Sequence, residues 1–232
     1  MKKPIVIAID GPAASGKTST AHRVAERLGL RHLDSGALYR AATAARLRQG
    51  GDPDASNWRE ADVLEAAKRR VRLTSGPRSF VAEIDGAAAE SELRSPEVTK
   101  RVSAVARMEG VRQWVNSLLR AAAEGASIVV DGRDMATAVF PEAEVKIFLV
   151  ADPRERARRR VSQDHQRAPT DEEIAKETGR LVHRDARDAQ QSAQAPDAIL
   201  LDTTHLTQAE QVDRIVAIAN AVTRRGGGTF AG

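Results

Sequence analysis

The sequence predicts an α/β fold, a parallel sheet flanked by helices, and three observations carry that prediction. Short apolar runs alternate with helix-length amphipathic segments, the pattern of parallel strands joined by crossover helices. The first strand, Ile5 to Asp10, passes directly into Gly11-Pro12-Ala13-Ala14-Ser15-Gly16-Lys17-Thr18 and then into a helix ending near Leu28. Two later runs, Ile128-Val129-Val130-Asp131 and Val145 to Val150, are short and rich in β-branched residues, as strands buried on both faces are.

The glycine-rich stretch has the spacing Gly-x-x-x-x-Gly-Lys-Thr between a strand and a helix, the arrangement of a phosphate-binding loop. Its glycines let backbone N–H groups turn inward around a phosphate. The helix N-terminus adds the positive end of its dipole. In this reading Gly11, Pro12, Ala13, Ala14, Ser15, Gly16, Lys17, Thr18 and Ser19 cradle a nucleoside triphosphate. Lys17 reaches the β- and γ-phosphates and the Thr18 hydroxyl faces Mg²⁺.

The remaining elements follow in order. Gly29 stops the first helix. Arg31 to Asp34 is a short strand or turn, and Ser35 opens an alanine-rich helix ending near Gly50-Gly51. Asn57 with Glu60 has the spacing of a capping box for a helix reaching about Val71. Val71 to Leu73 and Phe80 to Ile84 read as strands joined through Ser75-Gly76-Pro77, with a turn at Asp85-Gly86. Ser95-Pro96-Glu97 starts a helix with proline at its first position, and another helix runs from about Val111 to Ala123. Asp152-Pro153 opens an arginine-rich helix to about Gln163. Thr170 with Glu173 is a capping-box start for a helix toward Ala189. Ala198 to Asp202 is a last strand, and Thr207 with Glu210 caps a final helix whose Val212, Ile215, Val216 and Val222 share a face. The pattern predicts a core over about 4–50, 111–153 and 190–223, an insertion over about 50–110, a helical segment over about 154–189 and a disordered tail over about 224–232.

Composition narrows the function classes. The chain has 232 residues, 41% of them hydrophobic, enough for one large domain with a buried core. No apolar run is long enough to span a bilayer, so no membrane role is expected. There is no cysteine, hence no disulfide and no thiolate metal site. Asp10 and Gly11 interrupt the only apolar segment near the start, so no signal peptide is expected and a cytoplasmic protein is. The net charge of +4 raises the question of nucleic acid, but aromatic residues are only 3%, a poor stacking surface. Small phosphate-bearing ligands explain the arginines at least as well, and no nucleic-acid partner is expected.

Four further constellations carry charge or chemistry. In Asp34-Ser35-Gly36-Ala37-Leu38-Tyr39-Arg40, Arg40 reads either as a fork-shaped clamp on a second phosphate or as a surface arginine. Asp131-Gly132-Arg133-Asp134 follows a strand at the carboxyl edge of the sheet, where open α/β folds bind ligands. Asp131 there is placed to hold Mg²⁺ through water, although Asp-Gly is also a common turn pair. Arg154, Arg156, Arg158, Arg159 and Arg160 crowd one segment with only Asp152, Glu155 and Asp164 nearby, which reads as a flap over phosphates or as a solvated face. Arg184, Arg187 and Asp188 share a helix face, which allows intrahelical ion pairing or a ligand role. The five histidines show no metal-ligand spacing.

Taken together these segments resemble bacterial cytidylate kinases, a family of nucleoside monophosphate kinases, over about residues 4–222. The resemblance rests on Gly11 to Thr20, on Leu33 to Arg40, on Ile84-Asp85-Gly86, Glu97-Val98 and Ser103-Ala104-Val105-Ala106, and on Asp131 to Met135 with Thr137 and Val139-Phe140-Pro141. It implies a P-loop kinase-like sheet, with the insertion over 50–110 binding the nucleoside monophosphate and with a helical lid. It implies transfer of the γ-phosphoryl of ATP to CMP or dCMP by a monomer that uses Mg²⁺. Arg40 and Arg133 would hold the acceptor phosphate; Ser35, Arg184 and Asp188 would approach from the sugar and phosphate side; Ser103, Arg112 and Asp134 would read the base. Lys17, Arg40, Arg133 and the lid's Arg159 would be the catalytic cations. A carboxylate at Asp134 accepts from the cytosine N4 amino group, while Arg112 and Ser103 donate to N3 and O2. The chain departs from the family pattern at Gln191, where a further phosphate-binding arginine is usual, and at Ala136, where glycine is favoured. The alternatives are a related kinase with another acceptor, such as UMP, and a non-catalytic nucleotide-binding module.

Overall fold

Strand β1 (Val6–Asp10) and helix α1 (Lys17–Leu28) open the chain, joined by the glycine-rich loop. A computed structural model describes residues 4–50, 52 and 54–225. The chain divides into two units: the described residues up to Leu30 with those from Ser127 onward, and Arg31–Ala126. The expected insertion, 50–110, lies within the second unit.

The second unit starts with β2 (Arg31–Asp34) and α2 (Ser35–Leu47) and continues with α3 (Glu60–Arg70), β3 (Val71–Ser75), β4 (Phe80–Ile84), β5 (Ala87–Ala88), α4 (Glu90–Leu93), α5 (Pro96–Val105) and α6 (Glu109–Ala123). Asp34 caps α2, its Oδ1 accepting from Ala37 N–H at 3.2 Å. Helix α2 is the unit's centre. Its Leu38, Ala41, Ala42, Ala44 and Ala45 are fully buried, and these small side chains let α3, α5 and the β-hairpin approach its backbone. Strands β3, β4 and β5 pair antiparallel, and Asp85-Gly86 turns β4 into β5 with both residues at positive φ. Ser95 caps α5, with Pro96 at its first position.

The chain then returns to the first unit with β6 (Ile128–Gly132), β7 (Val145–Val150), α7 (Pro153–His165), α8 (Asp171–Asp188), β8 (Ile199–Asp202) and α9 (Gln208–Arg225). Its strands run parallel in the order β6-β1-β7-β8. Ile9 pairs with Asp131 and Ile147, so the carboxyl ends of β1, β6 and β7 lie side by side. Helices α1 and α9 cover one face, packing Val24, Leu28, Val212 and Ile215 against Ile7, Ile9, Ile147 and Leu149. This is the α/β parallel architecture that the alternating pattern predicts. The Asp152, Thr170–Glu173 and Thr207–Glu210 caps of α7, α8 and α9 all form.

Three expectations change. The Asn57–Glu60 capping box is absent: Asp54 caps a one-turn 3₁₀ segment over Ala55–Asn57, the Asn57 amide donates to Asp52 at 2.8 Å, and α3 begins without a side-chain cap. The arginines of α7 are not an unbalanced charge. Arg154, Arg156 and Arg160 pair with Asp171, Asp185 and Glu177 of α8, and Arg158 and Arg159 share Glu155. Their countercharges come from the helix packed alongside, which local sequence does not reveal. The expected tail is helical through Arg225, and its remainder lies outside the described residues.

Candidate active site

The glycine-rich loop wraps the carboxyl end of β1. Gly11 is obligatory there, since a Cβ on it would lie 2.4 Å from the Leu149 carbonyl oxygen. Gly16 caps α1 at φ 84°, a left-handed position. Ser15 is fully buried, and its hydroxyl, with no partner among the described residues, stands within the loop. An acceptor-rich ligand such as a phosphate fits that orphan donor. Lys17 Nζ donates to the Pro12 carbonyl at 3.1 Å, folding its ammonium back over the loop. Ser19 is exposed and donates to the Gly16 carbonyl at 2.9 Å.

Thr18 Oγ1 donates to Asp131 Oδ2 at 2.6 Å, so the hydroxyl and the carboxylate expected at a metal meet at the sheet edge. One hydroxyl, one carboxylate and phosphate oxygens make a donor set suited to Mg²⁺, which keeps much of its water.

The rest of the Asp131 to Asp134 segment is fixed from β1. Asp10, at the end of that strand, is buried, and its two carboxylate oxygens accept from Met135 N–H at 2.9 Å and Ala136 N–H at 2.8 Å. They hold a single π-helical turn, Met135–Val139, directly after Asp134. Burial pushes the Asp10 carboxyl up from 3.8 to about 6, opposed by those two N–H groups and by Lys17 and reinforced by Asp134. Ala136 joins this turn through its backbone, so its methyl group leaves the anchoring intact. Asp134 is itself buried at the turn's start.

Arg133 Nη1 donates to the Gly11 carbonyl at 3.2 Å and Nη2 to Asp188 Oδ2 at 2.9 Å. Burial lowers its pKa, and Asp188 and Asp185 oppose the shift. Asp188 also faces Arg184 Nε at 3.6 Å, so the intrahelical pairing read from the sequence is present and extends to Arg133. Gln191 follows in a 3₁₀ turn, Ala189–Gln191. Arg159 donates to Glu155 and to the carbonyls of Thr203, Thr204 and Leu206.

Four expected residues belong to the second unit. Ser35 is buried at the first turn of α2. Arg40, one turn on, donates to the Leu93 carbonyl at 3.2 Å and Thr99 Oγ1 at 3.1 Å. Ser103 is buried on α5, and Arg112 on α6 donates to the Ala106 carbonyl at 3.4 Å. The structure thus gathers Gly11 to Ser19, Asp131, Arg133, Asp134, Arg159, Arg184 and Asp188 in the first unit and the other four in the second.

Two residues were not singled out from sequence, Asp10 and Asp185, and Arg156 was read only as one of the five crowded arginines. Asp185 Oδ1 accepts from Ala13 N–H at 3.1 Å, and Arg156 donates to the Ala13 carbonyl at 2.8 Å. The one local signal for Asp185 was its place beside Arg184.

Comparison with known proteins agrees with this geometry. The family described as Cytidylate kinase matches residues 7–221. A cytidylate kinase of Thermus thermophilus is 44% identical over 220 residues, covering 95% of this chain and 99% of that protein. One from Geobacillus kaustophilus is 41% identical, covering 95% and 98%, and one from Chlorobaculum tepidum is 37% identical, covering 95% of each. With a phosphate loop, an Asp-Gly-Arg-Asp edge and full-length relatives all in agreement, the chain belongs to the cytidylate kinase family.

Proposed function

We propose that this chain transfers the γ-phosphoryl group of ATP to CMP or dCMP, giving ADP and CDP or dCDP. The observation that carries the reading is the placing of Arg133. Its guanidinium touches the Gly11 carbonyl of the donor loop and, through Asp188, the helix that carries Arg184. In this reading a cation held beside the donor loop stabilises the charge that develops on the transferring phosphoryl group.

An acceptor phosphate oxygen attacks the γ-phosphorus in line while the bond to the β,γ-bridging oxygen breaks. No general base is required, because the acceptor phosphate is already anionic near neutral pH. The protein's task is positioning and charge stabilisation. Lys17 and the loop N–H groups hold the β- and γ-phosphates; Arg40 and Arg133 hold the acceptor phosphate, with Ser35, Arg184 and Asp188 beside the sugar and phosphate. Thr18 and Asp131 would hold Mg²⁺, which when bound neutralises phosphate charge. Arg159 is the lid cation. Three of its present partners are neutral carbonyls, weaker acceptors than a phosphate. Residues of α7 and α8 close over the loop and exclude water, which would otherwise hydrolyse ATP.

Base choice falls to Asp134, Ser103 and Arg112. Uracil sets its O4 acceptor against the Asp134 carboxylate, a mismatch of the kind that discriminates strongly. A coupled ADP-release assay over CMP, dCMP, UMP and AMP tests the reading. CMP and dCMP should give the highest kcat/KM; a higher value for UMP would sink the base assignment. Asp134→Ala should lose the preference for CMP while ATP still binds. A monomer is the expected form, checked by light scattering.

A further inference from the structure

The phosphate loop carries an alanine where the backbone favours glycine. Ala14 has φ 57°, a left-handed conformation that a Cβ disfavours. The residue before it is held at both of its backbone polar groups by the two lid helices. Ala13 N–H donates to Asp185 Oδ1 at 3.1 Å, and the Ala13 carbonyl accepts from Arg156 Nη1 at 2.8 Å. The hold is closed on itself: Arg156 Nη1 also donates to Asp185 Oδ2 at 2.6 Å, and Arg156 Nε donates to the Ala151 carbonyl at 3.1 Å. Arg156 is buried, and Ala13 packs with Ala157, Ile174 and Leu181 of the same helices, with Ala14 at the edge of that cluster.

We infer that Arg156 and Asp185 are positioning residues for the phosphate loop, and that their clamp on Ala13 keeps Ala14 left-handed. An L-residue at positive φ persists only where its surroundings over-determine it. Two hydrogen bonds to the adjoining residue, from an ion pair between the buried Arg156 and the half-buried Asp185, supply that constraint. A left-handed residue within such a loop is a feature of backbone anion-binding concavities. Since Arg156 lies on α7 and Asp185 on α8, the loop's shape and the seating of the lid helices are mechanically one. The inference deepens the proposed function and rests on ATP as the donor.

The test is a double-substitution cycle with two readouts, ATP affinity by calorimetry and CMP-dependent ADP release. Asp185→Asn removes the charge that holds Arg156, and it should weaken ATP binding about tenfold, the scale of a charged hydrogen bond. The KM for CMP should move less than about twofold, because the clamp acts on the donor loop. Glycine adopts positive φ without penalty. Adding Ala14→Gly to Asp185→Asn should therefore bring ATP affinity back to within about threefold of the unsubstituted chain. A merely structural carboxylate would not be rescued in this way. Arg156→Lys keeps the charge but cannot hold the Ala151 and Ala13 carbonyls together; it should show the same loss and the same rescue. An equal loss with and without Ala14→Gly, or a loss confined to the KM for CMP, would overturn the inference. Failure of the unsubstituted chain to release ADP with CMP would instead remove the functional reading, while the ATP titrations would still score the clamp.

Discussion

Arg133 and Asp188, distant in sequence, form an ion pair at 2.9 Å whose side chains are 20% and 10% exposed. Removing the carboxylate leaves a mostly buried guanidinium with the Gly11 carbonyl and a more distant Asp185 at 4.0 Å. Asp188→Ala should lower stability by about 2 kcal/mol, below the full cost of orphaning a buried charge because Asp185 remains nearby. Asp188→Asn, which keeps an acceptor, should cost about half as much. Urea titration of both variants checks the pair.

Thr18 and Asp131 meet at 2.6 Å. Thr18→Ala should raise the Mg²⁺ concentration for half-maximal activity by about tenfold or more, and Thr18→Ser, which keeps the hydroxyl, by far less. Activity measured against total Mg²⁺ at saturating nucleotide separates the two.

Asp10 gives folding a pH dependence of definite sign. Its folded-state value of about 6 lies above the ordinary 3.8, so the folded chain binds this proton more tightly than the unfolded chain. The group favours folding most below pH 4, and that contribution is lost as pH rises through 6. The stability of the unsubstituted chain minus that of Asp10→Asn should therefore fall by about 2 kcal/mol between pH 4.5 and 7.5. Paired denaturant titrations at the two pH values measure it, and a flat difference would contradict the assignment.

Gly11→Ala should be severe. Its Cβ would meet the backbone oxygen of Leu149 at 2.4 Å, and neither buried strand end can yield cheaply. A loss of about 3 kcal/mol in stability, with ATP affinity falling alongside, is expected from such overpacking. Thermal melting with and without ATP reads both.

Much of this was legible in the chain because it is local chemistry. The phosphate loop, the Ser95-Pro96 and Asp152-Pro153 helix starts and the Thr170–Glu173 box lie within a few residues of one another, and each forms. Asn57–Glu60 has the same spacing and fails, because Asn57 ends a 3₁₀ turn and α3 starts only at Glu60, with Arg59 at its cap. Asp10, Asp185 and the loop contact of Arg156 escaped notice for the opposite reason. Their partners lie 125, 172 and 143 residues away, and only the parallel sheet and the packing of α7 and α8 bring them together. An aspartate ending an apolar strand gives no local sign that it organises a turn on the neighbouring strand.

The pairing of α7 with α8 also bears on how this surface meets large anions. Five arginines of α7 are held by four carboxylates, Glu155, Asp171, Glu177 and Asp185. Left bare, such a row would be a sticky patch for any polyanion, RNA included. Paired as it is, it presents little net charge at long range. An anion that displaces one of these carboxylates at close quarters does so best as a compact ligand with several well-placed oxygens. The helix pair is thus a filter as much as a magnet.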